Sequence, residues 1–194
     1  MSAIGKVITG FSKPFVALYS ATGGAVTYSS GQELARGVAV QITPEASDPQ
    51  NYYCNNTIGE TIGGEFTGGT ATLTVDGLLQ SALKLVTGAP TADSDGFLNY
   101  GKNTTAPFVG LGFIIRYISG GETSYTPVIL TKAVLKPLTI SANTQGEEIE
   151  FQSQELEFTL SRDDTTDAVW QKMGGEVQTE ADAIAIIKDF FNIS

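Results

Sequence analysis

The side chains able to do chemistry in this sequence are mostly carboxylates, for it contains no histidine and only one cysteine, Cys54. Without imidazole neither a Ser-His-Asp nor a Cys-His relay can be built, and the commonest metal ligand is missing. Between Gln145 and Asp167 stand Glu147, Glu148, Glu150, Glu155, Glu157, Asp163, Asp164 and Asp167, opposed only by Arg162, so −7 of the chain's formal −10 lies in this stretch. Paired carboxylates serve glycosidases when they flank a scissile bond. Glu148 with Glu150, and Glu155 with Glu157, are instead spaced i, i+2, and such neighbours on a strand point the same way. These four glutamates read as an acidic lumen or surface that repels polyanions.

The remaining motifs fall short of a site. Asp93-Ser94-Asp95-Gly96 has part of a calcium-loop spacing but lacks the third acidic ligand before glycine and a closing Glu, so a turn is expected. Gly110-Leu111-Gly112 has no third glycine three residues on and no helix to follow, and the Gly-x-x-x-x-Gly-Lys-Ser/Thr loop is absent. A lone cysteine forms no internal disulfide, and the sequons at Asn55 and Asn103 carry little in a chain without an export signal. No catalytic residue, no cofactor and no metal site is expected, and the chain reads as a non-enzyme.

Eleven Lys plus Arg against 21 Asp plus Glu disfavour stable binding to nucleic-acid phosphates. With 41% hydrophobic and 16% charged residues, 22 glycines and many Thr, Ser and Val, the 194 residues read as one β-dominated globular domain spanning 1–194. The longest apolar run, Phe108 to Ile115, has the length of one strand and falls far short of the ~20 residues of a membrane-spanning helix. The start, Met1 to Lys6, shows no secretory signal, so synthesis and retention in a cytoplasm are expected.

The elements that must position these side chains follow from periodicity. After an N-terminal arm (about 1–13), a strand is expected over Pro14 to Tyr19, a turn at Thr22-Gly23-Gly24, polar sequence up to Gly37, and an extended stretch from Val38 to Thr43. Pro44 to Thr57 has breakers and no periodicity and reads as a long loop; with Pro44, Asp48, Tyr52, Tyr53 and Asn55 it fits either a partner-binding arm or a solvated loop. Ile58 to Thr67 and Thr70 to Val75 read as a hairpin turning at Gly68-Gly69. Ala71, Leu73 and Val75 face the core. Leu78, Leu79, Ala82, Leu83 and Val86 recur at helical spacing, with Asp76 to cap the start and Gly88 to close the end. Phe108 to Ile118 and Tyr125 to Leu135 form a second hairpin around Ser119-Gly120-Gly121-Glu122, apolar on both faces and so expected to be covered on both. Leu138 to Ala142 and Leu156 to Arg162 add strands, the second with Leu156, Phe158 and Leu160 inward. A C-terminal helix (about 179–191) is expected from the capping-box-like start Thr179-Glu180-Ala181-Asp182 and from Ile184, Ile187 and Phe191 at helical spacing.

The order of three segments carries a family resemblance: Ala71-Thr-Leu-Thr-Val-Asp-Gly-Leu-Leu79 running from strand to helix, Pro107-Phe-Val-Gly-Leu-Gly-Phe113 opening a long strand, and Asn143-Thr-Gln-Gly-Glu-Glu-Ile-Glu-Phe-Gln152 before Leu156-Glu-Phe-Thr-Leu160. Across roughly residues 70 to 162 the chain resembles the major tail proteins, the tail-tube subunits of long-tailed, non-contractile phages of Gram-positive bacteria. The resemblance implies a β-sandwich or partly open barrel with one or two flanking α-helices, assembled as homohexameric rings stacked into a hollow tube of the virion tail for DNA ejection. It implies contacts with a tape measure protein, a tail terminator and a distal tail protein, and DNA only as passing cargo. Carried over by position, Pro44 to Thr57 becomes the inter-ring loop. The alternative is a β-sandwich binding module, carbohydrate-binding or capsid-decorating, that displays Tyr52, Tyr53 and Trp170.

Overall fold

A computed structural model describes residues 5–89, 93–144 and 151–193. The protein is mainly β with two flanking helices. Ten strands and two helices follow one another as β1 (Val7–Thr22), β2 (Ala25–Glu33), β3 (Gly37–Ala46), β4 (Gln50–Cys54), β5 (Thr57–Ile62), β6 (Phe66–Val75), α1 (Gln80–Thr87), β7 (Phe108–Ser119), β8 (Glu122–Leu135), β9 (Gln154–Ser161), β10 (Gln171–Met173) and α2 (Glu180–Phe190). The large sheet runs β2-β1-β7-β8-β9-β6-β3, with β10 on β8 beside β9, and all neighbours are antiparallel. One inward cluster takes Val16 from β1, Leu111 and Phe113 from β7, Val128 and Leu130 from β8, Leu73 from β6 and Phe158 from β9. A flat sheet could not bring these together, so the sheet is rolled around its own core, as in a sandwich or partly open barrel.

Three tight turns set the register. Gly23-Gly24, Asn55-Asn56 and Gly120-Gly121 all hold positive φ, and each links residues that pair directly, Thr22 with Ala25, Cys54 with Thr57 and Ser119 with Glu122. Two successive left-handed residues make the turn whose twist matches the strands, and glycine and asparagine tolerate it best.

The β7–β8 hairpin forms as its alternation requires, buried on both faces. On its outer face lies a second cluster of Phe15, Ala17, Ile114, Ile129, Ala183, Ile187 and Phe191, covered by α2. The helix starts where Thr179 Oγ1 accepts the amide of Asp182 at 3.1 Å, the expected cap. Its close seat depends on Gly110 and Gly112: a Cβ at Gly110 would stand 2.6 Å from Phe191 Cε1, and one at Gly112 would stand 2.7 Å from Ile187 Cγ2. These two glycines serve helix packing rather than phosphate binding.

Several expectations are corrected. Residues 7–13 are strand rather than arm, since β1 pairs with β7 from Val7 onward; residues 1–4 lie outside the described residues. The polar stretch before Gly37 holds β2, which its poor alternation hid. The Pro44 to Thr57 segment is no loop: Pro44 to Ala46 end β3, and Gln50 to Cys54 form β4 of a separate β4–β5 hairpin. Gly68-Gly69 is no turn but lies inside β6, where a Cβ on Gly69 would meet the β3 carbonyl of Thr43 at 2.7 Å. Glycine there admits a close strand approach. Leu138 to Ala142 forms no strand, because Lys136 N–H makes the last ladder bond, to Glu157 O at 2.8 Å, and Pro137 has no N–H to continue it. The first helix begins at Gln80 with no side-chain cap; Asp76 instead accepts from the Arg36 amide at 3.0 Å and pairs with its guanidinium. Gly88 does close α1, in the left-handed region and with its N–H on Lys84 O.

The glycine seat yields a stability test. Gly112→Val forces Ile187 and Phe191 apart and is expected to cost about 1–3 kcal/mol in urea unfolding. Gly175→Ala, where nothing lies within 4 Å of the added methyl, is expected to stay within about 0.5 kcal/mol of the native protein.

Candidate assembly surfaces

Two open sheet edges, a projecting hairpin and a groove are the surfaces on which this fold can act. The outer edges of β2 and β3 pair with no other strand among the described residues. They run for nine and ten residues, β3 lying close beside β1 and including Pro44, which offers no N–H to a further strand. No lysine interrupts either edge, the first charges being Glu33 in β2 and Glu45 in β3.

The β4–β5 hairpin projects from the end where Ala46 of β3 pairs with Phe66 of β6. It is tied to the barrel by the Ser47 N–H on Glu65 O at 2.8 Å and the Glu65 N–H on Ser47 Oγ at 3.1 Å. Every residue of both strands is exposed, including Tyr52, Tyr53, Ile58 and Ile62. Tyr53 pairs across the ladder with Ile58, while Gln50, two residues from Tyr52, pairs with Ile62, so each face of the hairpin carries one tyrosine and one isoleucine. Four large apolar side chains on a two-stranded ribbon make an adhesive surface. Of the residues singled out in the sequence, Tyr52, Tyr53 and Asn55 come together here, Asn55 as the first turn residue. Asp48 lies exposed at the hairpin's base, and Pro44 is a β3 residue opposite Gly69. Ile58 and Ile62 were missed, because a register shift beside Tyr52 and Tyr53 sets them on opposite faces and no apolar alternation in the sequence marks the strand.

The acidic row is partly offset. Glu155 and Glu157 stand exposed on β9 opposite Thr74 and Thr72 of β6, and Glu157 is ion-paired with Lys136. Glu148 and Glu150 lie outside the described residues. Beyond the strand, Lys132 pairs with Asp164 at 2.6 Å while its ammonium sits 4.7 Å from the Phe108 ring centroid and 5.2 Å from that of Tyr19. Tyr19 donates its hydroxyl to Asp164 Oδ2 at 2.5 Å and accepts the Asp164 amide at 2.9 Å. The Lys132 and Tyr19 bonds hold the Asp164 carboxyl below the usual carboxylate range. Burial and the Asp164 bond push the Tyr19 phenol up to about 12.

Two other candidates resolve into structural roles. Asp93 Oδ1 accepts the amides of Phe97 at 2.9 Å and Asp95 at 3.1 Å, and its Oδ2 accepts from Asn99 Nδ2 at 2.9 Å, so this carboxylate closes its own turn. Trp170 is not openly displayed: it stacks on Phe66 with ring centroids 4.4 Å apart. The buried Asp163 carboxylate brings it there by gathering the Thr165 hydroxyl and the amides of Thr165 and Val169 into a compact loop.

A groove of about 620 Å³ opens at the far end of the barrel, between α1, the 100–106 segment and residues 134–140. Leu83, Tyr100, Ala106, Leu138 and Ile140 supply apolar walls, and Lys136 is its one charged lining residue among the described ones. A neighbouring depression across Pro137 and Ile140 is lined by Asp76, Glu155 and Glu157.

No protein-family model matches this chain, and no curated protein matches it.

The Tyr19 environment sets a pH dependence. Its phenol has a higher affinity for its proton folded than unfolded, so the stabilisation is fully present below about pH 10 and is lost as pH rises toward about 12. Ultraviolet titration of the protein and of Tyr19→Phe is expected to differ by one phenol that ionises well above the ordinary tyrosine value of about 10; a difference confined to that ordinary value would refute the assignment.

Proposed function

We propose that this protein is the structural subunit of a phage virion tail tube, assembling as stacked homohexameric rings that form a hollow conduit for DNA ejection, and that it catalyses no reaction. The observation that carries the reading is the pair of unpaired edges, β2 and β3, at the two ends of one rolled sheet. A copy placed edge to edge satisfies backbone groups that a solitary barrel leaves to water, and a ring of copies removes the edges altogether. The exposed β4–β5 hairpin supports stacking of one ring on the next, as the family resemblance implies for this segment.

Charge supports the same reading. Six copies carry a formal −60, six times the chain's −10, and a wall of that sign lets a duplex pass without adhering. The chain's lack of histidine, and the use of Asp93 and Asp163 on their own backbone, leave the best-placed carboxylates with structural work. In the assembled tail the partners are further copies along the tube, with a tape measure protein inside and a tail terminator and distal tail protein at its ends.

The exposed tyrosine pair also suits a carbohydrate-binding or capsid-decorating module. Electron microscopy separates the two readings: the tube subunit forms rings or hollow filaments of constant diameter, whereas the module stays monomeric at high concentration and binds a glycan or capsid surface. Replacing Asp48 to Gly63 with an Asn-Gly turn keeps the Ser47 and Glu65 bonds and is expected to leave the barrel folded by circular dichroism but to abolish long filaments. Filaments of unchanged length from that variant would remove the hairpin from the assembly.

A further inference from the structure

Strands β3, β6 and β9 turn one face to the core and present a polar grid on the other. Gln41 of β3 pairs with Thr72 of β6, and Thr72 with Glu157 of β9; two residues along the strands, Thr43 pairs with Thr70 and Thr70 with Thr159. Partners in a ladder point the same way, and the residues between these rows, Ile42, Ala71 and Phe158, pack in the core. The outward side chains therefore stand about 5 Å apart across the strands and about 7 Å apart along them. They are hydroxyls, an amide and a carboxylate. The other outer face, over β1, β7 and β8, is covered by α2.

Charge divides the two faces in the same way. On the grid side Lys136 is ion-paired with Glu157 and Lys132 with Asp164. Glu45, opposite Gly68, and Glu155, opposite Thr74, have no ion-pair partner among the described residues. These four acids against two lysines leave −2 per copy. The helix side differs. Arg116 of β7 and Lys172, whose ammonium lies 5.6 Å from the Phe190 ring centroid, are exposed there and make no ion pair among the described residues. A duplex phosphate meets available cations on the helix side, whereas on the grid it meets hydroxyls, carboxylates and lysines already engaged. The grid is the face along which a polyanion slides without being held.

We infer that the outward face of β3, β6 and β9 lines the bore of the tube, with Glu45, Glu155 and the threonine rows toward the passing duplex and α2 toward the outside. The inference rests on the tube reading proposed above and specifies which wall of the subunit forms the conduit.

The test places one added cysteine on either side of the full chain and reads labelling from the mass of the peptide that carries it, so Cys54 stays in place. Glu155→Cys and Gln41→Cys mark the grid at exposed positions, and Lys172→Cys marks the helix side. Dispersed and assembled protein are treated with a small maleimide or with a maleimide linked to a carrier protein wider than the bore seen by electron microscopy. In tubes the small reagent is expected to label all three positions as in the dispersed chain. The carrier is expected to lose positions 41 and 155 except at tube ends and to keep position 172. Carrier labelling at 41 and 155 along intact tubes puts the grid outside, and loss of the small reagent there puts it between copies. Either result, or loss of the carrier at 172, overturns the inference while the tube reading stands. So do grid variants that fold by circular dichroism but no longer assemble, since a solvated wall accepts a small side chain. A wild type that forms no tubes overturns the tube reading and this inference together.

Discussion

The β7–β8 hairpin is buried on both of its faces, and every other element takes its position from that constraint. Leu111, Phe113, Val128 and Leu130 fill the inside of the roll, while Ile114 and Ile129 lie beneath α2 on the outside. Each such side chain contributes about 1.5–3 kcal/mol on leaving water, and none can turn outward without emptying one of the two cores. β1 adds to β7, and β9 and β10 add to β8, so the sheet grows outward from this hairpin until it ends at β2 and β3. The open edges and the β4–β5 hairpin are therefore displayed from a stiff frame.

Sequence patterning reveals those elements whose burial is one-sided or two-sided in a regular way. The alternation of Ala71, Leu73 and Val75, the doubly apolar run from Phe108, and the Thr179 cap with Ile187 and Phe191 each correspond to a single packing solution, and each forms as read. What was hidden lacks a buried face. β2 is exposed at most alternate positions, and β4 and β5 are exposed throughout, so no apolar period marks them. The turn signal was ambiguous in the same region: Asn55-Asn56 makes the turn that Gly68-Gly69 promised, because glycine also suits a strand pressed against its neighbour's backbone. Among the candidate site residues, Tyr52, Tyr53 and Asn55 were legible by type but not by shape. Glu157 was legible by its outward direction but not by its Lys136 partner, which follows the neighbouring strand β8 and lies 21 positions away in the sequence.

A β-strand exposed along its whole length is not specified by burial in the chain's own core. The β4–β5 hairpin has ladder bonds, a favourable turn and four large apolar side chains, yet it contributes nothing to either buried cluster. The edges of β2 and β3 present the same imbalance in backbone hydrogen bonding. Both features are what a subunit needs if its copies complete each other's β-structure, as proposed above.

Amide hydrogen exchange of β2 and β3, measured on dispersed and assembled protein, bears most directly on that claim. Outward N–H groups of both edges are predicted to exchange fast in the dispersed chain and to become protected on assembly, together with those of the β4–β5 hairpin. Edge amides that exchange equally fast in both states would contradict the account, for the copies would then be held together by something other than shared strands.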